Sequence, residues 1–188
     1  TTSSNQYYRI ISKRTSENGT TPGYEMITQL TVGAYGMNLR SREGTNSGPP
    51  FGSSDITDGG WHHLAMVVNA SNSTATIFVD GVQEHQSTVG AIGTQSFANS
   101  TDLLVGTEVS ETVFFPGFMD NIRIWSVPLS PAEILTDAGI QIDGTENNLI
   151  AAWDFENVTG NTVPDLVGDC HGTLVGGAIA SDPNFPMA

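Results

Sequence analysis

An all-β sandwich with one short helix is the fold class this sequence predicts, on three observations. The first is compositional: 188 residues carry 38% hydrophobic but only 14% charged side chains, with 21 glycines and 9 prolines to break the chain into many turns. The second is the stretch Gly59 to Gly81, which reads as two strands joined by a small polar turn. The third is a lone helix start, Ser130-Pro131-Ala132-Glu133, where Ser130 caps, Pro131 takes the first helical position and Glu133 closes a capping box. The length suits one domain spanning residues 1–188, with a real core.

Taken in order, Tyr7 to Arg14 reads as a strand, and Ser16 to Gly23 as a loop with Asn18-Gly19 and Pro22-Gly23 turn signals. Tyr24 to Val32 and Gly36 to Arg40 follow as short strands, and Ser41 to Ser54 as a polar loop. In the central hairpin, Trp61 to Val68 is the first strand and Thr74 to Val79 the second, with Ala75, Ile77 and Val79 on one face. Asp80-Gly81 ends it, because glycine accepts a positive φ without steric cost. Val82 to Gln86 is a brief strand, Gly90 to Ser100 irregular, and Asp102 to Gly106 strand-like. Thr107 to Phe115 reads as a surface loop that exposes Phe114 and Phe115. Phe118 to Trp125 reads as a regular strand with Phe118, Asp120, Ile122 and Ile124 on one face. Asn148 to Glu156, Gly160 to Asp165 and Gly172 to Leu174 close the chain.

Trp61-His62-His63-Leu64-Ala65, followed at hairpin spacing by Val79-Asp80-Gly81-Val82, resembles the central hairpin of laminin-G-like domains, within the concanavalin A-like lectin and glucanase group. Gly117 to Trp125 followed by Leu129-Ser130-Pro131-Ala132-Glu133-Ile134 is similar to the strand and helix that end the repeat core of those domains, so the resemblance covers nearly the whole chain. It implies a concanavalin A-like jelly roll. It also implies a calcium ion (Ca2+) near the Phe118–Trp125 strand, which makes Asp120 the first metal candidate and Asp154 the second, with Glu156 beside it. Calcium takes six to eight oxygen ligands, so carboxylates and loop carbonyls suit it. The plainer reading of Asp120 is a carboxylate that accepts backbone N–H groups or pairs with Arg123. The family pattern opens with one or two strands ahead of the Ile11-Ser12-Lys13 strand. The vacant positions are expected to be filled by strand addition from a neighbouring chain, giving a homo-oligomer, or by residues 174–188 folding back.

The net charge of −14, with one lysine and five arginines, leaves no basic patch to displace counterions, so nucleic acid is not an expected partner. No stretch approaches the roughly 20 apolar residues of a membrane helix, and no stretch of these residues is expected to act as a signal peptide. A single cysteine, Cys170, precludes an internal disulfide, which in a secreted domain points to a bacterial source; the expected place is outside the cell or on its surface. Because the chain begins at Thr1, it is expected to be a mature or trimmed piece.

Catalytic constellations are weak. Laminarinases share this sandwich and carry Glu-x-Asp-x-x-Glu on one strand face, but none of the nine glutamates here has an aspartate two residues later, and Glu108 and Glu111 do not co-align on a strand. His62 and His63 are adjacent in an extended segment and point to opposite faces, so they cannot converge on one ion. Trp61, Trp125 and Trp153 are expected as core anchors, and Cys170 beside His171 as a buried thiol rather than a nucleophile. Five Asn-x-Ser/Thr sequons, at Asn18, Asn69, Asn72, Asn99 and Asn157, fall in predicted loops. The sequence thus points to a non-catalytic binding or adhesion module for a glycan or surface protein. A structural subunit of a surface assembly is the alternative.

Overall fold

The computed structural model describes residues 7–14, 22–29, 33–40, 46–47, 51–89, 97–108, 110 and 112–179. Among them the elements are β1 (Tyr7–Arg14), β2 (Gly23–Gln29), β3 (Ala34–Arg40), β4 (Asn46–Ser47), β5 (Leu64–Asn69), β6 (Thr74–Val79), β7 (Val82–Thr88), β8 (Leu104–Val105), β9 (Ile122–Trp125), α1 (Pro131–Asp137), β10 (Leu149–Trp153), β11 (Thr162–Val163) and β12 (Gly172–Thr173). The fold is an all-β sandwich with one short helix, as the composition and turn pattern predict. The chain divides into two compact units, Thr1–Pro116 with Ser130–Ala138, and Gly117–Leu129 with Gly139–Ala188.

In the first unit a five-stranded antiparallel sheet runs in the order β4-β3-β2-β1-β8, and a three-stranded sheet in the order β5-β6-β7. The Tyr35 hydroxyl on β3 donates to the Ala65 carbonyl on β5 at 2.6 Å, which joins the two sheets. Tyr35 is 1% exposed, so a buried phenol with this one acceptor fixes the sheet separation at that point. In the other sheet β6 lies between β5 and β7, and both its faces are buried: Ala75, Ile77 and Val79 on one, Thr76 and Phe78 on the other. Thr76 tolerates this because its hydroxyl accepts from Gln86 Nε2 at 3.0 Å.

The β6–β7 turn is the local device the sequence announces. Asp80 and Gly81 both take positive φ, 51° and 76°, the geometry that matches strand twist in a two-residue hairpin. Gly81 is also required by space, since a Cβ there would lie 2.5 Å from Leu135 Cδ1 on α1. The helix itself starts as predicted: Glu133 N donates to Ser130 Oγ at 3.3 Å and Ser130 N to Glu133 Oε2 at 2.7 Å, while Ile134 is buried.

The second unit pairs β9 with β10 and β11 with β12, both antiparallel. Its core is Ile142, Leu149 and Ala152, with Trp125, Leu166 and Val167 packed against them. Trp125 is therefore an anchor, as expected.

Four expectations are corrected. Trp61 is 40% exposed and lies outside any strand, because β6 ends at Val79 opposite Leu64 and the β5–β6 ladder stops there. The run from Phe118 is not a regular strand: Asn121 adopts φ 53°, which breaks the extended backbone, so β9 begins at Ile122 and Phe118 is 55% exposed. Cys170 is exposed, because its own backbone N–H is drawn toward the Asp165 carboxylate and its carbonyl toward the Trp153 indole. Asn69 ends β5 instead of lying in a loop. Asn18, Thr31, Val32 and Glu111, and residues 41–45, 90–96 and 180–188, lie outside the described residues.

Candidate functional site

Within the first unit, antiparallel register sorts the five-stranded sheet into two faces. Thr28 lies opposite Tyr35 and shares its core face, so Glu25, opposite Ser12 on β1, belongs to the other face. A bulge at Ile10 adds one residue to β1 between the Arg9↔Ile27 and Ile11↔Met26 pairs. Strict alternation would separate Arg9 from Ser12 and Arg14; the extra residue brings all three to the face of Glu25. There Arg9 Nε lies 3.3 Å from Glu25 Oε1 and Arg14 Nη1 2.6 Å from Glu25 Oε2, with the Ser12 hydroxyl 3.4 Å from Oε1. Arg9 Nη1 also reaches Glu108 Oε2 at 2.7 Å.

The cluster is dry. Glu25 and Ser12 are each 1% exposed, and the Arg14 side chain 8%. Each charge is tolerated there by an opposite charge and hydrogen bonds. Arg14 Nε is a buried donor with no hydrogen-bond partner among the described residues. The residues that make this face were not singled out from the sequence, except Glu108, which fails as half of a catalytic pair and proves to be a buried counter-ion for Arg9.

At the edge of this face stands an aromatic pair. Tyr7, two residues from Arg9, stacks on Phe51 with centroids 5.8 Å apart and planes at 15°, and Tyr7 is 41% exposed. The Phe51 ring comes close to Gly36, where a Cβ would meet Cδ1 at 3.0 Å, so glycine is what lets the ring approach the strand this closely. The segment bearing Phe51 is held from both sheets: Gly52 N donates to Tyr35 O at 2.8 Å, and Glu84 on β7 accepts the backbone and hydroxyl groups of Ser53 and Ser54. The Ser54 hydroxyl and then the Ser53 N–H, against the opposing effect of burial, hold the Glu84 carboxyl down to about 2.

The metal candidates lie in the second unit. Asp120 accepts from Asn121 N at 2.8 Å and from Asn121 Nδ2 at 3.2 Å, which is the plainer of the two readings; Arg123 Nη2 donates to the Ile140 carbonyl. Asp154 accepts from Glu156 N at 3.2 Å. The last β9–β10 pair is Ile122↔Trp153, so the two aspartates follow it at the same end of the ladder. No group of three or more His, Cys, Asp or Glu side chains suited to a metal occurs among the described residues. A calcium site there would have to draw on backbone carbonyls and water for most of its ligands.

Of the remaining candidates, His62 and His63 do part as adjacency requires. His62 lies between Asp80 (Nδ1 to Oδ2, 2.8 Å) and Asp58 (Nε2 to Oδ1, 3.0 Å), whereas His63 Nε2 is 3.7 Å from Asp137 Oδ2 on α1. His171 is not paired with the thiol beside it; its Nδ1 accepts from Asp165 N at 3.1 Å. Phe114 is 46% exposed and Phe115 half-buried. No helix among the described residues is long and apolar enough to cross a membrane.

The family model described as concanavalin A-like lectin/glucanases superfamily, of laminin-G type, matches residues 1–135. No curated protein matches the chain. Among solved structures, the sialidase CBM40 module of Ruminococcus gnavus superposes with a TM-score of 0.56 at 17% identity, over 74% of this chain and 78% of that one. The same module bound to α2,3-sialyllactose gives 0.54 at 16%. A Bacteroides ovatus ATCC 8483 protein with a proposed carbohydrate-binding role gives 0.61 at 16%, over 86% of this chain and 49% of that one, so this chain spans about half its length. At such identities the likeness is one of fold.

Proposed function

The chain belongs to the concanavalin A-like lectin/glucanases superfamily, and from that premise we propose that it is a non-catalytic glycan-binding module acting outside the cell or on its surface. The observation that carries this reading is the half-exposed Tyr7–Phe51 stack beside Arg9, at the edge of a charged sheet face that is not the core face. Sugars present flat C–H surfaces and hydroxyl rims, so a rigid aromatic platform next to fixed polar groups supplies both apolar contact and orientation. The carbohydrate-binding character of the R. gnavus module supports the same class of ligand. Glu25 is already bonded by Arg9, Ser12 and Arg14, which suits a scaffold rather than a reacting carboxylate.

A glycan array is the test. Binding to at least one glycan class is expected, and Tyr7→Ala is expected to weaken it roughly tenfold, about 1.4 kcal/mol, with the protein still folded and its melting temperature only modestly lowered by loss of the Phe51 stack. Turnover of β-glucans should be undetectable. Binding to no glycan, together with a particle size that grows with concentration in light scattering, would instead favour the structural-subunit reading and strand addition.

Asp120 and Asp154 would hold a structural calcium in this reading, their common place at the end of the β9–β10 ladder being the support for it. A chelator is then expected to lower the melting temperature, and Asp120→Asn to remove that sensitivity. A parent protein indifferent to chelator removes calcium from the account. A variant as sensitive as the parent moves the site elsewhere.

A further inference from the structure

We propose that Asp58, His62 and Asp80 form a pH-operated latch that fastens residues 58–63 to the β6–β7 turn while His62 is charged and releases them when it loses its proton. The argument is one of hydrogen-bond accounting. His62 Nδ1 lies 2.8 Å from Asp80 Oδ2 and Nε2 lies 3.0 Å from Asp58 Oδ1. Ionised carboxylates only accept, so both contacts are hydrogen bonds only if both ring nitrogens donate, which is the imidazolium. A neutral ring keeps one N–H and turns its other lone pair toward a carboxylate, so one jaw must open.

Each jaw also grips backbone. Asp58 Oδ1 accepts from Gly60 N at 2.7 Å, Asp80 Oδ1 accepts from His63 N at 2.8 Å, and Asp80 N donates to His63 O at 2.8 Å. The segment between the jaws carries the half-exposed Trp61 and the glycines Gly59 and Gly60, with Gly59 at φ 93°. It lies outside the strands, and its His63 end is tied to the β6–β7 turn by backbone, so the His62 bonds add to that tie and hold the Asp58–Gly60 side of the segment against it. The His62 side chain is 16% exposed against 57% for Asp58 and 51% for Asp80, which leaves the ring proton a route to solvent.

The charged groups around the latch favour the closed, protonated state. Asp55 lies earlier in the same loop, its carboxylate taken up by Thr57 N and Oγ1. On the α1 side Asp137 faces the neighbouring His63. The hydrogen bond to Asp80 raises His62 above the ordinary histidine range, burial opposes it, and Asp58 adds to the rise. The sign follows. A folded pKa above the unfolded one gives stabilisation that is complete below about 6.5 and is lost as pH rises through the folded value. At the acid end Asp58 is held low, first by the Gly60 N–H and then by His62, so that jaw keeps its charged acceptor down into the acidic range.

The test is amide hydrogen exchange of Gly60 and His63 from about pH 5 to about pH 9, corrected for the intrinsic rate, with the His62 ring followed by NMR. The expected result is a fall of about tenfold in protection at Gly60, at His63 or at both, according to which jaw opens, for each unit by which the folded pKa exceeds the unfolded one, on the same midpoint as the His62 titration. His62→Gln should show pH-independent protection. Asp58→Asn, which keeps the shape of the jaw, should shift the His62 midpoint downward. Protection that stays constant while His62 titrates overturns the latch. So does an Asp58→Asn protein with an unmoved His62 midpoint, a readout that holds even if His62→Gln fails to fold.

Discussion

Glu25→Ala is expected to cost about 3–5 kcal/mol of stability in the first unit, read as a lowered denaturant midpoint. The side chain is 1% exposed and receives bonds from Arg9, Ser12 and Arg14. Removing it leaves the Arg14 guanidinium, itself 8% exposed and already short of one acceptor at Nε among the described residues, as a buried charge without its carboxylate partner. Arg9 would retain Glu108, so the penalty should concentrate on Arg14. The double variant Glu25→Ala with Arg14→Met should recover part of the loss, because it removes the uncompensated buried charge and leaves only the cavity at residue 25. A single-variant cost below about 1 kcal/mol would mean that water reaches this face and the cluster is not dry.

Asp165→Ala is expected to be comparably damaging in the second unit, about 3–5 kcal/mol. Its Oδ1 accepts from Ala152 N at 2.9 Å and Val167 N at 3.1 Å, and its Oδ2 from Gly168 N and Cys170 N, both at 3.2 Å. One carboxylate thus closes the 165–170 loop on itself and ties it to β10, where Ala152 is fully buried. Without it four backbone donors lose their acceptor, and the most buried, at Ala152, has no route to water. Burial works to raise the Asp165 carboxyl, and the four N–H groups outweigh it and bring it below the ordinary aspartate range. A depressed folded pKa gives stabilisation that is present above about 3.9 and is lost as pH falls through the folded value. Asp165→Asn should retain part of the bonding but abolish this acid-side dependence. A pH profile identical in parent and Asp165→Asn would show that the carboxylate charge is not what holds the loop.

What the sequence by itself determined is what a few consecutive residues can settle. Ser130, Pro131 and Glu133 fix the start of α1, since the capping bonds span only three residues. Asp80-Gly81 announces the β6–β7 turn through backbone preference, and the run from Thr74 to Val79 fixes a strand through its β-branched and aromatic content. The Trp-His-His and Val-Asp-Gly pair, at hairpin spacing, carried the family.

The tertiary structure decided what depends on a distant partner. Trp61 looks like a core residue, yet it is half-exposed because the strand it should pair with has already turned at Asp80. The bulge at Ile10 exists only relative to β2, and it alone moves Arg9 to the face of Ser12 and Arg14. Asp165 reads as one acidic residue among 20, and nothing local shows that donors from residues 152 to 170 will converge on it. Local propensity places strands and turns because its causes lie within a few residues. Faces, registers and the partners of buried charges are set only when segments far apart in the chain come into contact.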